Sequence, residues 1–287
     1  MSKTAKLKSD LEDMESLVEI FQILKDVASN HFYNTAKRKQ RFVEFAESFV
    51  GFFRMVSLAE ATSPLVHPSS ENVGLLAITS EGGFMAEMTA KILNATMAEA
   101  KKHRKHDFMV IGYKGAEKMQ LRTEKELTIF RDVEEKGLFK IALEVKKHII
   151  SEVEKGNMGR VFAVYPKAIT ANFIKPVTIK LLPSEELVTK QTSVKDAIEK
   201  VIVESEQDDI IHYLADVWLA CRLYEMLEDC IIAGFAAQAM QLESSLDSLK
   251  KDQKGLVTAF RKSKKGDIDK SLREVFTAKT IMSGGKR

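Results

Sequence analysis

The sequence predicts an α/β protein in three parts: a long antiparallel coiled coil of N- and C-terminal helices, and a central α/β domain between them. Three observations predict it. All five prolines lie between Pro64 and Pro183, and eight of the fourteen glycines lie between Gly74 and Gly159. Apolar residues recur every three or four positions on both sides of that stretch. Inside it, short apolar runs alternate with helical patterns. Proline costs about 3 kcal/mol inside a helix, so its absence from 1–63 and 184–287 permits long helices. The expected parts are 1–62, 63–205 and 206–287.

The first helix is read from Leu7, Leu11, Met14, Leu17, Val18, Phe21, Leu24, Ala28 and Phe32, continuing through Phe42, Phe45, Phe49, Phe52, Phe53 and Val56. That spacing makes one apolar stripe. The pattern ends near Thr62-Ser63-Pro64. Such a helix would span roughly 80–90 Å at 1.5 Å per residue, longer than the central domain is wide. It needs a partner, and the last segment supplies one. Its apolar positions run from Ile210, Ile211, Leu214, Val217 and Trp218 to Phe235, and resume from Leu242 to Val275. Two such helices at opposite chain ends can lie antiparallel as a two-stranded coiled coil. Gly255 and Gly266 lower the second helix's propensity by about 1 kcal/mol each.

In the middle, Val73–Thr79, Asp107–Gly112 and Arg160–Tyr165 read as buried strands, with an extended fourth strand from Asn172 to Leu182. Helices are expected at 84–102 and 136–155. This strand–helix–strand order favours a Rossmann-like parallel sheet with covering helices.

Composition narrows the classes. The 287 residues carry 44 Lys+Arg against 41 Asp+Glu, which argues against a strongly basic nucleic-acid binder. Two cysteines exclude a disulfide scaffold and fit a reducing compartment. Cys221 and Cys230, nine apart on a helix, point to opposite sides and read as inert buried thiols. No window approaches eighteen uncharged apolar residues, and the N-terminus has no apolar secretion core. A soluble intracellular protein of prokaryotic type is expected.

The candidate motifs are weak taken singly. Thr79-Ser-Glu-Gly-Gly-Phe84, with Glu81, Gly82 and Gly83, follows a strand and opens a helix, where free amides can hold an anion. Its spacing matches neither a dinucleotide fingerprint nor a P-loop, so a tight turn is the simpler reading. Gly112-Tyr-Lys-Gly115 has the GxxG form of an RNA-binding KH clamp, with Lys114 suited to a phosphate. The flanking elements do not suggest that topology. Lys101-Lys-His-Arg-Lys-His106 could offer two histidine ligands on one helix face, but it has no evident third ligand and reads as a solvated helix end. Residues 250–273 hold nine Lys/Arg against three Asp, a local net charge of +6. No Ser/His/Asp or Cys/His arrangement stands out, so neither an active site nor a cofactor is expected.

Taken in order along the chain, these segments resemble the gamma subunit of F-type ATP synthases. Leu24-Lys-Asp-Val-Ala-Ser29 leading to Lys37-Arg-Lys39 resembles the family's Met-Lys-Met-Val-Ala-Ala before a basic stretch. Thr79–Phe84 resembles Thr-Ser-Asp-Arg-Gly-Leu, and Gly112–Gly115 resembles Gly-Arg-Lys-Gly. Tyr165-Pro-Lys-Ala and Leu181-Leu-Pro183 resemble Tyr-Asn-x-Phe and Leu-Leu-Pro. In the last helix Lys262, Ile268 and Glu274 match, while the family's Arg-Gln pair falls on Lys264-Lys265. Met85-Ala-Glu-Met-Thr89 departs from Cys-Gly-Gly-Phe-Asn, and Ala233–Ala239 departs from Ser-Glu-x-x-Ala-Arg-Met.

The resemblance implies a non-catalytic central-stalk subunit of a rotary ATP synthase, itself without nucleotide. Its implied partners are the alpha and beta subunits, the epsilon (or delta) subunit and the membrane c-ring. The implied place is peripheral, on the cytoplasmic face of a prokaryotic inner membrane. Leu24, Lys25, Arg261, Lys264, Lys265, Ile268 and Asp269 are the implied contacts to the catalytic hexamer. Two other readings stay open on the residues alone: a coiled-coil scaffold or adaptor with an α/β head, and an enzyme using the middle domain as a nucleotide site.

Overall fold

The computed structural model describes residues 3–53, 63–81, 83–131, 135–183 and 207–284. The expected end of the first helix stripe near 54–62, and Gly82, lie outside them. Two long helices bracket the chain: α1, Lys3–Phe53, and α5, Gln207–Gly284. Between them run β1 Val73–Ile78, α2 Ala86–Ala100, β2 His106–Ile111, α3 Tyr113–Gln120, β3 Leu127–Phe130, α4 Leu138–Glu154, β4 Arg160–Thr170 and β5 Phe173–Leu182.

The sheet order is β3-β2-β1-β4-β5. β1 pairs in parallel with β2 and β4, and β2 in parallel with β3. β5 corrects the expectation of a parallel sheet. It runs antiparallel to β4, with Tyr165 opposite Val177. Only two residues separate β4 from β5, and so short a link permits a hairpin but no crossover. Two elements were missed. α3 begins inside the Gly112–Gly115 motif, where an early glycine disguised it. β3 is four residues long and half-buried throughout, too short for a pattern.

All six residues of β1 are buried, because helices cover both faces of the sheet. One core unites Val73, Leu75, Ala77, Phe108 and Val110 with Ile92 and Leu93 of α2 and Met119 of α3. The other unites Leu76, Ile78, Met109 and Ile111 with Ile141, Val145 and Ile149 of α4 and Trp218, Leu223 and Leu227 of α5.

Contacts divide the chain into two units, one of 1–27 with 239–287 and one of 28–238. In the first unit, Thr4 Oγ1 lies 2.7 Å from Ser263 Oγ and donates to Asp267 Oδ2, while Lys25 Nζ lies 3.5 Å from Glu243. Numbers rise on α1 as they fall on α5, so the pair is antiparallel. In the second unit, His31 stacks on Phe235 at 5.0 Å, and Phe42 meets Tyr224 at 4.7 Å. The same direction holds there.

The burial of α1 follows 4, 7, 11, 14, 18, 21, 25, 28, 32, 35, 39 and 42, a seven-residue repeat. Leu17 and Leu24, expected in that stripe, are 42% and 43% exposed. Each sits one position before a seam residue, Val18 or Lys25, and so turns away from α5.

The GxxG motif has a packing role. Gly112 caps α3 with φ of +103°, where an L side chain is strained. A Cβ on Gly115 would collide with the Thr79 side chain, whose Oγ1 donates to Ile111 O at 2.7 Å. Gly115→Ala is therefore expected to cost about 2 kcal/mol by overpacking. Gly83→Ala, which meets nothing within 4 Å, is expected to stay near the parent. Urea unfolding of both variants checks this.

Candidate functional site: the helix pair and the sheet edge beside it

In a doubly wound sheet, ligands enter at the carboxyl edge where the strand order reverses. Here that point lies between β1 and β4. Two parts of the chain itself lie at this edge. Glu81, just past β1, accepts a 2.6 Å bond from the Tyr113 amide and so occupies the N-terminus of α3. α5 crosses the same edge. A Cβ on Gly234 would lie 4.0 Å from Ser80 Oγ, and the Cys230 thiol, raised chiefly by burial and then by Asp229, also feels the charge of Glu81. Of the turn residues, Gly83 stands in open space and Lys114 is exposed, so neither helps to form an enclosed phosphate cradle.

A buried ionic cluster joins α1 to α5 beside this edge. Lys39 Nζ lies 2.6 Å from Asp229 Oδ1 and 3.3 Å from Glu225. Arg38 Nε lies 3.3 Å from Glu228 Oε1, which also accepts from Tyr224 Oη at 3.1 Å. Glu228 and Asp229 are buried, at 1% and 4% exposure. Oε2 of Glu228 and Oδ2 of Asp229 have no hydrogen-bond partner among the described residues. Burial pushes both carboxyls up, against the pull of Tyr224 and Arg38 on Glu228 and of Lys39 on Asp229. Burial, and after it the charges of Asp229 and Glu225, push the Tyr165 hydroxyl up. Sequence reading missed this cluster. Its one available signal was charge at seam positions of an otherwise apolar repeat.

The cysteines are free, and Cys221 is only half-buried. Burial pushes the Cys230 thiol to about 12 and raises Cys221 as well, which suits inert thiols. His103 and His106 do not share a helix face. α2 ends at Ala100, His103 stacks on Phe162 with Nε2 3.3 Å from Glu99, and His106 opens β2. Glu99 is thus a nearby carboxylate that the sequence reading overlooked. Among the described residues no cluster could hold a metal ion, and no helix is long and apolar enough to cross a membrane.

The hexamer-facing candidates all fall in the first unit, in two places. Leu24 is exposed and Lys25 is paired with Glu243. Arg261, Lys264, Lys265, Ile268 and Asp269 lie farther along α5, roughly 27–39 Å from Glu243 at the helical rise. α5 is half-buried at Gln253, Leu256, Phe260 and Ser263, against the start of α1. From Lys264 to Lys279 every residue is exposed. The basic run therefore has a covered seam in its first half and none in its second.

Two apolar surfaces remain uncovered within this unit. Leu17, Ile20, Leu24 and Val27 form a second stripe on α1, and Ile268, Leu272 and Val275 a stripe on α5, at 42–65% exposure. Leu17 and Leu24 repeat every seven residues, as the seam does, but no residue of the chain is seated on them among the described contacts.

These features define a helix-pair protein with a doubly wound domain inserted between its helices, α5 packing against that domain's sheet. The profile of a family described as ATP synthase matches residues 3–280. The chain belongs to the ATP synthase gamma-chain family. The gamma chain of Roseiflexus sp. (strain RS-1) is 19% identical, over 96% of this chain and 97% of that one. That of Maridesulfovibrio salexigens is 20% identical, over 99% and 100%. Among solved structures, a chain of the Euglena gracilis mitochondrial ATP synthase OSCP/F1/c-ring assembly superimposes with a TM-score of 0.61. Identity there is 16%, over 99% of this chain and 96% of that one. A chain of the Tetrahymena thermophila central stalk and c-ring gives 0.57 at 16% identity, over 79% and 99%.

Two outcomes follow for the cluster. Lys39→Met leaves buried carboxylates without their cation and is expected to cost about 3 kcal/mol in denaturant unfolding. The raised carboxyls set a pH dependence. A carboxyl raised in the fold binds its proton more tightly there than in the unfolded chain. Its contribution to stability therefore falls as pH rises from the ordinary carboxylate value through the raised one. At pH 7 that cost is in place, so Glu228→Gln is expected to melt above the parent. The gap should close on acidification towards about pH 4.5, as thermal melts across that range would show.

Proposed function

We propose that this chain is the central-stalk rotor subunit of an F-type ATP synthase. In that role it couples ion-driven rotation of a c-ring to conformational change at catalytic sites on an alpha/beta hexamer. Its other partners are the epsilon (or delta) subunit and the c-ring itself. The chain is non-catalytic in this reading and sits peripherally on the cytoplasmic face of a prokaryotic inner membrane. Residues 1–62 and 206–287 are the helical arms, and 63–205 the α/β domain.

The observation that carries this reading is the seam on α1 and α5 with bare apolar and basic surface beside it. A shaft needs its two helices held by each other, which the covered seam supplies. It also needs an uneven outer surface, because equivalent sites are driven apart only by unequal contacts. Leu24, Lys25, Arg261, Lys264, Lys265, Ile268 and Asp269 supply such a surface, apolar at Leu24 and Ile268 and cationic at Arg261, Lys264 and Lys265. Lysine keeps the charge of arginine without its paired donors, so this contact is electrostatic more than geometric. The non-catalytic reading is supported by Glu81 and α5 lying at the sheet's reversal edge.

Affinity capture of the full chain, followed by mass spectrometry, is expected to return alpha and beta ATPase subunits at three copies each per copy of this chain. Self-association alone would favour a scaffold, and saturable ATP or NAD binding in calorimetry would favour an enzyme. Reversing Lys264 and Lys265 to Glu in the assembled complex is expected to lower coupled ATPase activity about tenfold, through loss of two cationic contacts. Unchanged coupling and torque would remove the electrostatic part.

A further inference from the structure

The parallel strands all begin on one edge of the sheet, opposite the edge that α5 crosses. Ser69–Asn72 lead into β1, His106 opens β2, Lys125 precedes β3 and Arg160 opens β4. These starts surround a cleft of about 660 Å³ with a neighbouring lobe of about 220 Å³. Arg104, Lys105 and Glu71 line both, so the two form one basin.

Five cationic and two acidic side chains line it. Most of the rest are already engaged. Lys102 bonds Glu99 at 2.6 Å, Lys125 donates to His106 O at 2.6 Å, and Asp107 accepts from Asn72 at 2.6 Å. Arg104, Lys105 and Arg160 are exposed and have no side-chain partner among the described residues. Glu71 is the one acid of the basin left uncommitted among them. Cations gathered without counter-ions raise one another's energy, and a bound anion relieves this. The two guanidiniums present paired N–H donors suited to two oxygens of one phosphate, and the ammonium adds a point charge.

We propose that this basin binds a phosphate-bearing anion through Arg104, Lys105 and Arg160, with Glu71 as an internal competitor. Either a soluble phosphate compound or an anionic lipid headgroup presents that chemistry. The site lies within residues 28–238 and uses none of the residues assigned to the hexamer, so its test is independent of the rotor role.

The experiment uses the full chain in two arms: calorimetry with pyrophosphate, and sedimentation with phosphatidylglycerol or phosphatidylcholine vesicles. Pyrophosphate is expected to bind, and Arg104→Glu with Lys105→Glu to weaken it at least about tenfold. Lys91→Glu with Lys140→Glu, an equal charge change elsewhere on the domain, is expected to leave it intact. Glu71→Gln is expected to tighten binding a few-fold, a gain that misfolding would not produce. Binding confined to phosphatidylglycerol vesicles, and lost in the Arg104/Lys105 variant alone, assigns the headgroup as the source. The proposal is overturned by no binding in either arm, by equal binding in the parent and the Arg104/Lys105 variant, or by equal loss in the control.

Discussion

The seam between α1 and α5 is the constraint on which the rest depends. α1 from Thr4 to Phe42 and α5 from Leu242 to Ser263 repeat their buried positions every seven residues, and the two helices run in opposite directions. Neither helix has another way to hide its apolar stripe, since buried Leu and Phe side chains contribute about 1.5–3 kcal/mol each only when something covers them. The antiparallel sense follows from the chain's path, because the domain between the helices returns the backbone beside its start.

Within residues 28–238 the demands on α5 change. There it meets α1 on one side and the sheet with α4 on the other, so its buried residues widen from a stripe to most of the circumference between Leu214 and Ala236. Glu228 and Asp229 lie in that dense stretch, next to each other in sequence and both buried. Such ions are poor sources of stability, because removing them from water costs about what their pairing returns. They are better suited to fixing one register, since sliding α1 by a turn would strand Lys39 away from Asp229 and Glu225.

Glu81 and α5 both lie at the sheet's reversal edge, and Gly112 and Gly115 serve the approach of α3 to Thr79. A motif that reads as phosphate chemistry is thereby explained as packing. The uncovered surfaces are elsewhere: the second apolar stripe of α1, the solvated run of α5, and the cationic amino edge of the sheet.

The sequence by itself determined the layout. Proline placement, the three-to-four spacing and the apolar runs dictate two long helices around a strand-rich middle, because these are local consequences of backbone geometry and side-chain burial. The resemblance of Leu24–Ser29, Thr79–Phe84 and Arg261–Val275 to one family was readable for the same reason: order along a chain is a one-dimensional property. Only the tertiary structure decided which of Leu17 and Val18 faces α5, for both fit a three-to-four spacing and differ only in what lies across from them. It alone brought Lys39 to Asp229 and gathered Arg104 and Arg160 on one edge. Those relations join residues far apart in the chain, and no local spacing encodes them.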